Sequence, residues 1–165
     1  MTLAQLKELD EIPVELVEKV RESVLNTFES ILGEELRYVG ESNGGEPLNG
    51  IIGNVNVFNS EYTISLMLAI PKETALFFSE VFIGMELPFE SDDMGDLIGE
   101  ISNILAGDVA ANVEKVGFRG QSSLPTATRG SDLTLFMPNK PPMERMKFIS
   151  EHTEFLLTMV LSESN

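Results

Sequence analysis

Two long stretches of helical periodicity, each followed by a set of strand-like runs, constrain this chain more than any other feature. Residues 12–32, IPVELVEKVRESVLNTFESIL, place Leu16, Val17, Val20, Val24, Phe28, Ile31 and Leu32 at helical spacing, with Pro13 near the start and Gly33 just past the end. Residues 95–117, GDLIGEISNILAGDVAANVEKVG, gather Leu97, Ile101, Ile104, Leu105 and Val109 on one side and stop at a glycine. Each helix must bury its apolar stripe, and the strands nearby offer the surface for it, which predicts an α+β fold with helices packed on an antiparallel sheet.

The runs between and after the helices fill in that expectation. ELRYVG reads as a strand and ESNGGEPLNG as a loop; IIGNVNVFN and YTISLMLAIP, joined by NSE and closed by Pro71, read as an antiparallel hairpin. KETALFFSEVFIG suits a shorter helix through Ala75, Leu76, Phe78, Phe82 and Ile83, ending at Gly84, and MELPFESDD is a linker. Three further strands are expected from GQSSLPTATRG, DLTLFMP and TEFLLTMVLSE, while NKPPMERMKFISEH reads as a Pro-rich turn followed by either a short helix or an irregular strand entry. The acidic residues before the first helix read as a flexible lead or a short extra turn.

The order is long helix then three strands, twice, a weak internal repeat with ESILGEEL lying against SNILAGDV. In that register Thr27 sits opposite Glu100 and Ser30 opposite Asn103. The expectation is one domain over residues 1–165, built from half-repeats of about 12–84 and 93–163: two long helices on about six antiparallel strands, with an internal pseudo-twofold and the shorter helix between the halves.

Charge and composition narrow the function classes. Twenty-seven acids against 11 bases give a net charge of −16, which repels nucleic acid and anionic membranes. The absence of cysteine excludes a disulfide framework, a thiolate zinc site and a cysteine nucleophile, and makes a reducing cytoplasm the simplest location. MTLAQLKELDEIPVEL lacks a basic region followed by a long apolar stretch, so no export signal is expected, and no run approaches the roughly 18 apolar residues of a membrane span. A single histidine, His152, disfavours the common zinc sites and a catalytic triad and reads as a surface or strand-entry residue. Asp92, Asp93 and Asp96 lack the ligand order of a calcium loop, and Gly44, Gly45, Gly50 and Gly53 form no phosphate loop and read as turn residues. Met67 and Met159 are expected in the core, and the base-rich PNKPPMERMK in an exposed loop or partner contact.

The second long helix carries an unusual polar stripe. At about 100° per residue, Asp96, Glu100, Asn103 and Gly107 fall within roughly 60° of one another, opposite the apolar side, and no lysine or arginine shares the first four turns. Taken as chemistry alone, these are solvating residues, with Asp96 near the helix start favouring the macrodipole. Gly107 would let another backbone come close, at a cost of roughly 1 kcal/mol relative to alanine.

Asp96, three residues, Glu100, two residues, Asn103, 21 residues, Pro125: this pattern resembles the signature of the CheC, CheX and FliY family of chemotaxis phosphatases. The likeness extends to the helix-plus-three-strands repeat over about residues 12–163. Thr27 and Ser30 stand where a second motif would need Glu and Asn, so the chain resembles the CheX branch. Ile104 departs from the Met that many members carry after the Asn.

The resemblance implies a phosphatase acting on the aspartyl phosphate of the response regulator CheY or a related receiver domain. It implies that Asn103 positions the attacking water, that Glu100 docks the receiver's lysine beside the phosphorylated aspartate, and that Gly107 lies in the partner contact, with three roles open to Asp96: capping the helix, orienting Glu100 through water, or touching the partner's rim. Pro125 takes a backbone role, interrupting a strand near the helix. No cofactor is expected on this chain, Mg²⁺ being carried by the partner, and a homodimer joined through sheet edges is expected. The alternative is a non-catalytic CheX-like dimer that docks a receiver or forms part of a flagellar switch, a role that would not need the amide of Asn103.

Overall fold

The computed structural model describes residues 11–41 and 46–164; the expected acidic lead and the Gly44–Gly45 part of the first loop lie outside them. Three helices and seven strands follow in the order α1 (Val14–Leu32), β1 (Arg37–Glu41), β2 (Leu48–Phe58), β3 (Tyr62–Pro71), α2 (Lys72–Ile83), α3 (Asp92–Glu114), β4 (Gln121–Ser122), β5 (Thr126–Leu133), β6 (Met143–Ile149) and β7 (Glu154–Glu163). No helix among the described residues is long and apolar enough to cross a membrane.

All pairings are antiparallel, and the sheet runs β1-β6-β7-β3-β2, with both β4 and β5 along the far side of β2. Exchanging β1 with β5, β2 with β6 and β3 with β7 reproduces this order. A local twofold therefore passes between β3 and β7, which pair from Tyr62 opposite Glu163 to Ala69 opposite Leu156.

The helices cover one face of the sheet. Leu16, Val20, Val24 and Phe28 form the fully buried stripe of α1, each contributing roughly 1.5–3 kcal/mol by leaving water. Rings from three elements meet beneath it: Phe28 lies 4.5 Å from Phe155 of β7 and 5.6 Å from Phe78 of α2. Gly33 ends α1 in the left-handed region (φ 68°), its N–H donating to the Glu29 carbonyl, as Gly84 does for α2. Met159 is buried in this core, and Met67 is buried on the opposite face.

A polar seam joins α1 to α3. Asn112 donates to the Lys19 carbonyl and to Ser23, and the Thr27 hydroxyl donates to Asp108. Thr27 is thus a buried link between the helices, unlike the exposed Glu100 opposite it in the sequence repeat.

The second half departs from the strand expectations. GQSSLPTATRG is two strands, β4 and β5, because Pro125 has no N–H for the ladder and the regular pairing with β2 is interrupted between Ser122 and Thr126. Ser123 to Pro125 face only Val55 and Asn56 of β2, so one extra residue is bulged out of the edge. Of DLTLFMP only Asp132 and Leu133 belong to a strand. Asp132 turns the chain with a positive φ of 61°, and Phe136 beyond it is 79% exposed. MERMKFI, left between helix and strand by sequence, is β6, with Met146 and Phe148 buried and Arg145 and Lys147 toward the other face. The sheet has seven strands rather than about six for these reasons.

Gly50 and Gly53 are not turn residues but lie inside β2. At Gly53 a Cβ would meet the Ser102 hydroxyl of α3 at 2.3 Å and Ile98 at 3.1 Å. Ser102 is buried and donates to the Ile98 carbonyl within its own helix, so α3 seats against bare backbone of β2. Gly53→Val is expected to push α3 outward and cost roughly 1–3 kcal/mol, read as a lower urea midpoint.

His152 lies exposed in the β6–β7 turn, stacked on Phe77 with ring centroids 5.0 Å apart, and its Nδ1 is 2.9 Å from Glu34. The hydrogen bond to Glu34 raises the imidazole pKa against a smaller opposing effect of burial. Burial disfavours the Glu34 carboxylate, but hydrogen bonds from Ser150 and His152 outweigh it and hold its pKa below the usual value. The histidine contribution to stability is therefore complete below an imidazole's ordinary value of about 6.5 and fades as pH rises through the raised one. The Glu34 contribution is present above the ordinary carboxylate range and fades as pH falls through its lowered value. Urea titrations at pH 6 and pH 9 are expected to show a larger alkaline loss for the wild type than for His152→Gln.

Candidate functional site

The site begins with the entry to α3. Ser91 caps the helix by accepting from the Met94 N–H, and Asp92 and Asp93 fill the acidic first turn. The helix therefore starts three residues before Gly95, and the two aspartates are solvated helix-entrance residues. Arg129 of β5 reaches across to this entry, donating to the carbonyls of Phe89 (3.1 Å) and Ser91 (2.9 Å). This clamp was not read from the sequence; its one signal is a lone base in TATRG, downstream of a strongly acidic helix entrance.

Leu97, Ile98, Ile101, Leu105 and Val109 face the core, so the opposite side of α3 is presented to solvent. Asp96, Glu100, Asn103 and Gly107 are all exposed there, while Ile104 is half-buried. Between this face and the edge of the sheet lies an open cleft of about 490 Å³, lined by Gly95, Asp96, Gly99, Glu100, Asn103, Pro125 and Ala127. Four of the five sequence-derived residues thus share one cleft. Gly107 lies one turn beyond Asn103 on the same helix face, outside the lining.

The cleft is electrostatically one-sided. None of the four ion pairs among the described residues includes Asp96 or Glu100. The Asn103 amide makes no hydrogen bond among the described residues, so both its oxygen and its NH₂ face outward. A partner that brings cations would satisfy the acids, and a water held by the amide would sit beside them.

On the row Gly95, Gly99, Asn103 and Gly107, four residues apart, Asn103 is the one projecting side chain. Added Cβ atoms at Gly95 and Gly107 would meet nothing within 4 Å, and one at Gly99 only an ordinary contact with Pro125 at 3.8 Å. No internal packing requires these glycines. Gly99→Ala and Gly107→Ala are each expected to raise stability by up to about 1 kcal/mol, measured by thermal unfolding.

Two other places on the surface gather polar or charged groups. A groove of about 500 Å³ on the helix-free sheet face is lined by Ile52, Met67, Ala69 and Leu156 with Arg145 and Lys147, and none of the motif residues reaches it. Ligand atoms of Glu34, Glu151 and His152 lie within 4.8 Å of one another, but both Glu34 oxygens are already engaged by Ser150 and His152, so the group serves as a tie between the loop after α1 and the β6–β7 turn.

Comparison with known proteins agrees with the geometry. Residues 45–144, which contain the whole cleft, match the family model described as chemotaxis phosphatase CheX. The fold is similar to that of a CheC-like superfamily protein from Shewanella sp. PV-4 (16% identity, TM-score 0.79, covering 92% of this chain and 99% of that one). It is similar to the chemotaxis protein CheX from Vibrio vulnificus (18% identity, TM-score 0.79, 90% and 100%). It is also similar to a chain of the CheX–CheY–BeF3–Mg complex from Borrelia burgdorferi (16% identity, TM-score 0.73, 92% and 100%). No curated protein matches the sequence.

Proposed function

Since the chain belongs to the CheX family of chemotaxis phosphatases, we propose that it hydrolyses the aspartyl phosphate of a CheY-type receiver domain, with Asn103 holding the attacking water and Glu100 docking the receiver. The observation that carries this reading is the exposed Asn103 amide, without a hydrogen-bond partner among the described residues, one helical turn from an unpaired carboxylate in a solvent-open cleft.

The chemistry asks little covalent work of this chain. Water attacks the phosphorus in line with the receiver's aspartate oxygen, the P–O bond to that carboxylate breaks, and inorganic phosphate leaves. An amide both donates to and accepts from one water, fixing its lone pair toward the phosphorus. A carboxylate at position 103 would repel the phosphoryl oxygens, and an apolar side chain would orient nothing.

Glu100 pairs with a lysine of the receiver, and Asp96 adds negative charge at the rim. The receiver's Mg²⁺ and lysine offset the repulsion between these acids and the phosphoryl group, so small phosphate esters, which bring no such cations, are poor substrates. The bare positions at Gly99 and Gly107 let the receiver's backbone come near enough for the short Asn103 side chain to reach the reacting centre. Pro125 shapes the wall opposite the helix. The expected homodimer rests on the outer strands, β1 and β5, each paired on one side only among the described residues.

The test is the decay of Mg²⁺-bound phosphorylated CheY from the same organism. The wild type is expected to accelerate it; Asn103→Ala is expected to lose on the order of 10²-fold or more in rate while binding survives, and Glu100→Ala to lose binding. Full activity in Asn103→Ala would refute the water-positioning role.

A further inference from the structure

Leu124 is 90% exposed, the highest value among the exposed large hydrophobic side chains of the described residues, and it directly precedes Pro125 in the cleft wall. Its neighbours hold it in place. The Ser123 N–H donates to the Asn56 carbonyl at 2.8 Å, the Asn56 N–H donates to the Ser123 hydroxyl at 2.9 Å, and that hydroxyl donates to the Leu124 carbonyl at 3.1 Å. On the other side Pro125 restricts Leu124 to extended backbone. The residue lies in the bulge where three residues face two on β2, a device that re-aims side chains beside functional sites. An isolated exposed leucine is ordinary; one whose backbone is fixed on both sides, next to a proline that lines a polar cleft, is preorganised to be covered.

We infer that Leu124 is an apolar docking residue that enters a hydrophobic depression beside the receiver's phosphorylation site and sets substrate affinity for the reaction. This rests on the reading under Proposed function and adds the second wall of the contact. Polar residues of α3 meet the charged centre while Leu124, on the β4–β5 side, supplies the apolar anchor. Because the charged contacts are shared by any receiver that carries Mg²⁺ and a lysine, the shape and apolarity that receive Leu124 distinguish one receiver from another.

The experiment compares wild type, Leu124→Ser and Leu124→Met by steady-state hydrolysis of the phosphorylated CheY-type receiver of the same organism. Kd is measured for that receiver loaded with Mg²⁺ and beryllofluoride, and thermal unfolding is followed alongside. Burying a fully exposed leucine corresponds to about tenfold or more in affinity. Leu124→Ser is therefore expected to raise KM and Kd about tenfold or more, with kcat within twofold and Tm unchanged, and Leu124→Met to restore both constants. Unchanged KM and Kd in Leu124→Ser, a loss confined to kcat, or a large fall in Tm would each overturn the inference while leaving the phosphatase reading in place. A wild type that neither binds nor hydrolyses this receiver would overturn both.

Discussion

The seating of α3 on β2 is the contact on which the rest of the structure depends. Gly53 offers no Cβ, Ser102 turns its hydroxyl back to the Ile98 carbonyl, and the helix comes down close to the strand between them. Once that approach is fixed, Leu97, Ile101, Leu105 and Val109 are committed to the core, and Asp96, Glu100 and Asn103 have no choice but to face water. The same strand carries β4, β5 and the bulge between them on its far edge. One strand therefore sets both walls of the cleft, with the Arg129 clamp fixing the helix entrance against β5.

The molecule keeps its polar interior groups satisfied and its site groups unsatisfied. Ser23, Thr27, Ser102 and Asn112 are all bonded within or between helices, and no buried side-chain N or O among the described residues lacks a partner. The charged and amide groups of the cleft find no such partners. That contrast, together with helix glycines that no internal contact explains, sets the α3 face apart from the packed remainder of the molecule.

Much of this was legible in the sequence where periodicity and side-chain type agree. The α1 stripe, the β2–β3 hairpin and α2 follow from spacing and from Pro and Gly at the ends. The motif residues were legible because 3.6-residue spacing places Asp96, Glu100 and Asn103 on one face. The β6 strand was hidden because Arg145 and Lys147 occupy its outer face, so MERMKFI alternates without looking apolar, behind a Pro-rich turn. DLTLFMP misled in the opposite sense: β5 ends at Leu133, and the apolar residues here border a groove, as Leu133 and Leu135 do, or face solvent, as Phe136 does. Gly53 signals close approach only when α3 is known to lie above it, and Arg129 and Leu124 acquire meaning from neighbours distant in the chain.

The most direct test of the central claim is to map, by amide chemical-shift perturbation, where a beryllofluoride- and Mg²⁺-loaded CheY-type receiver contacts this protein. The account predicts that the largest changes run along Gly95–Gly107 of α3 and Leu124–Ala127, the two segments that supply the cleft's lining residues. Changes concentrated on the helix-free sheet face, at Ile52, Met67 and Leu156, with α3 unaffected, would contradict it.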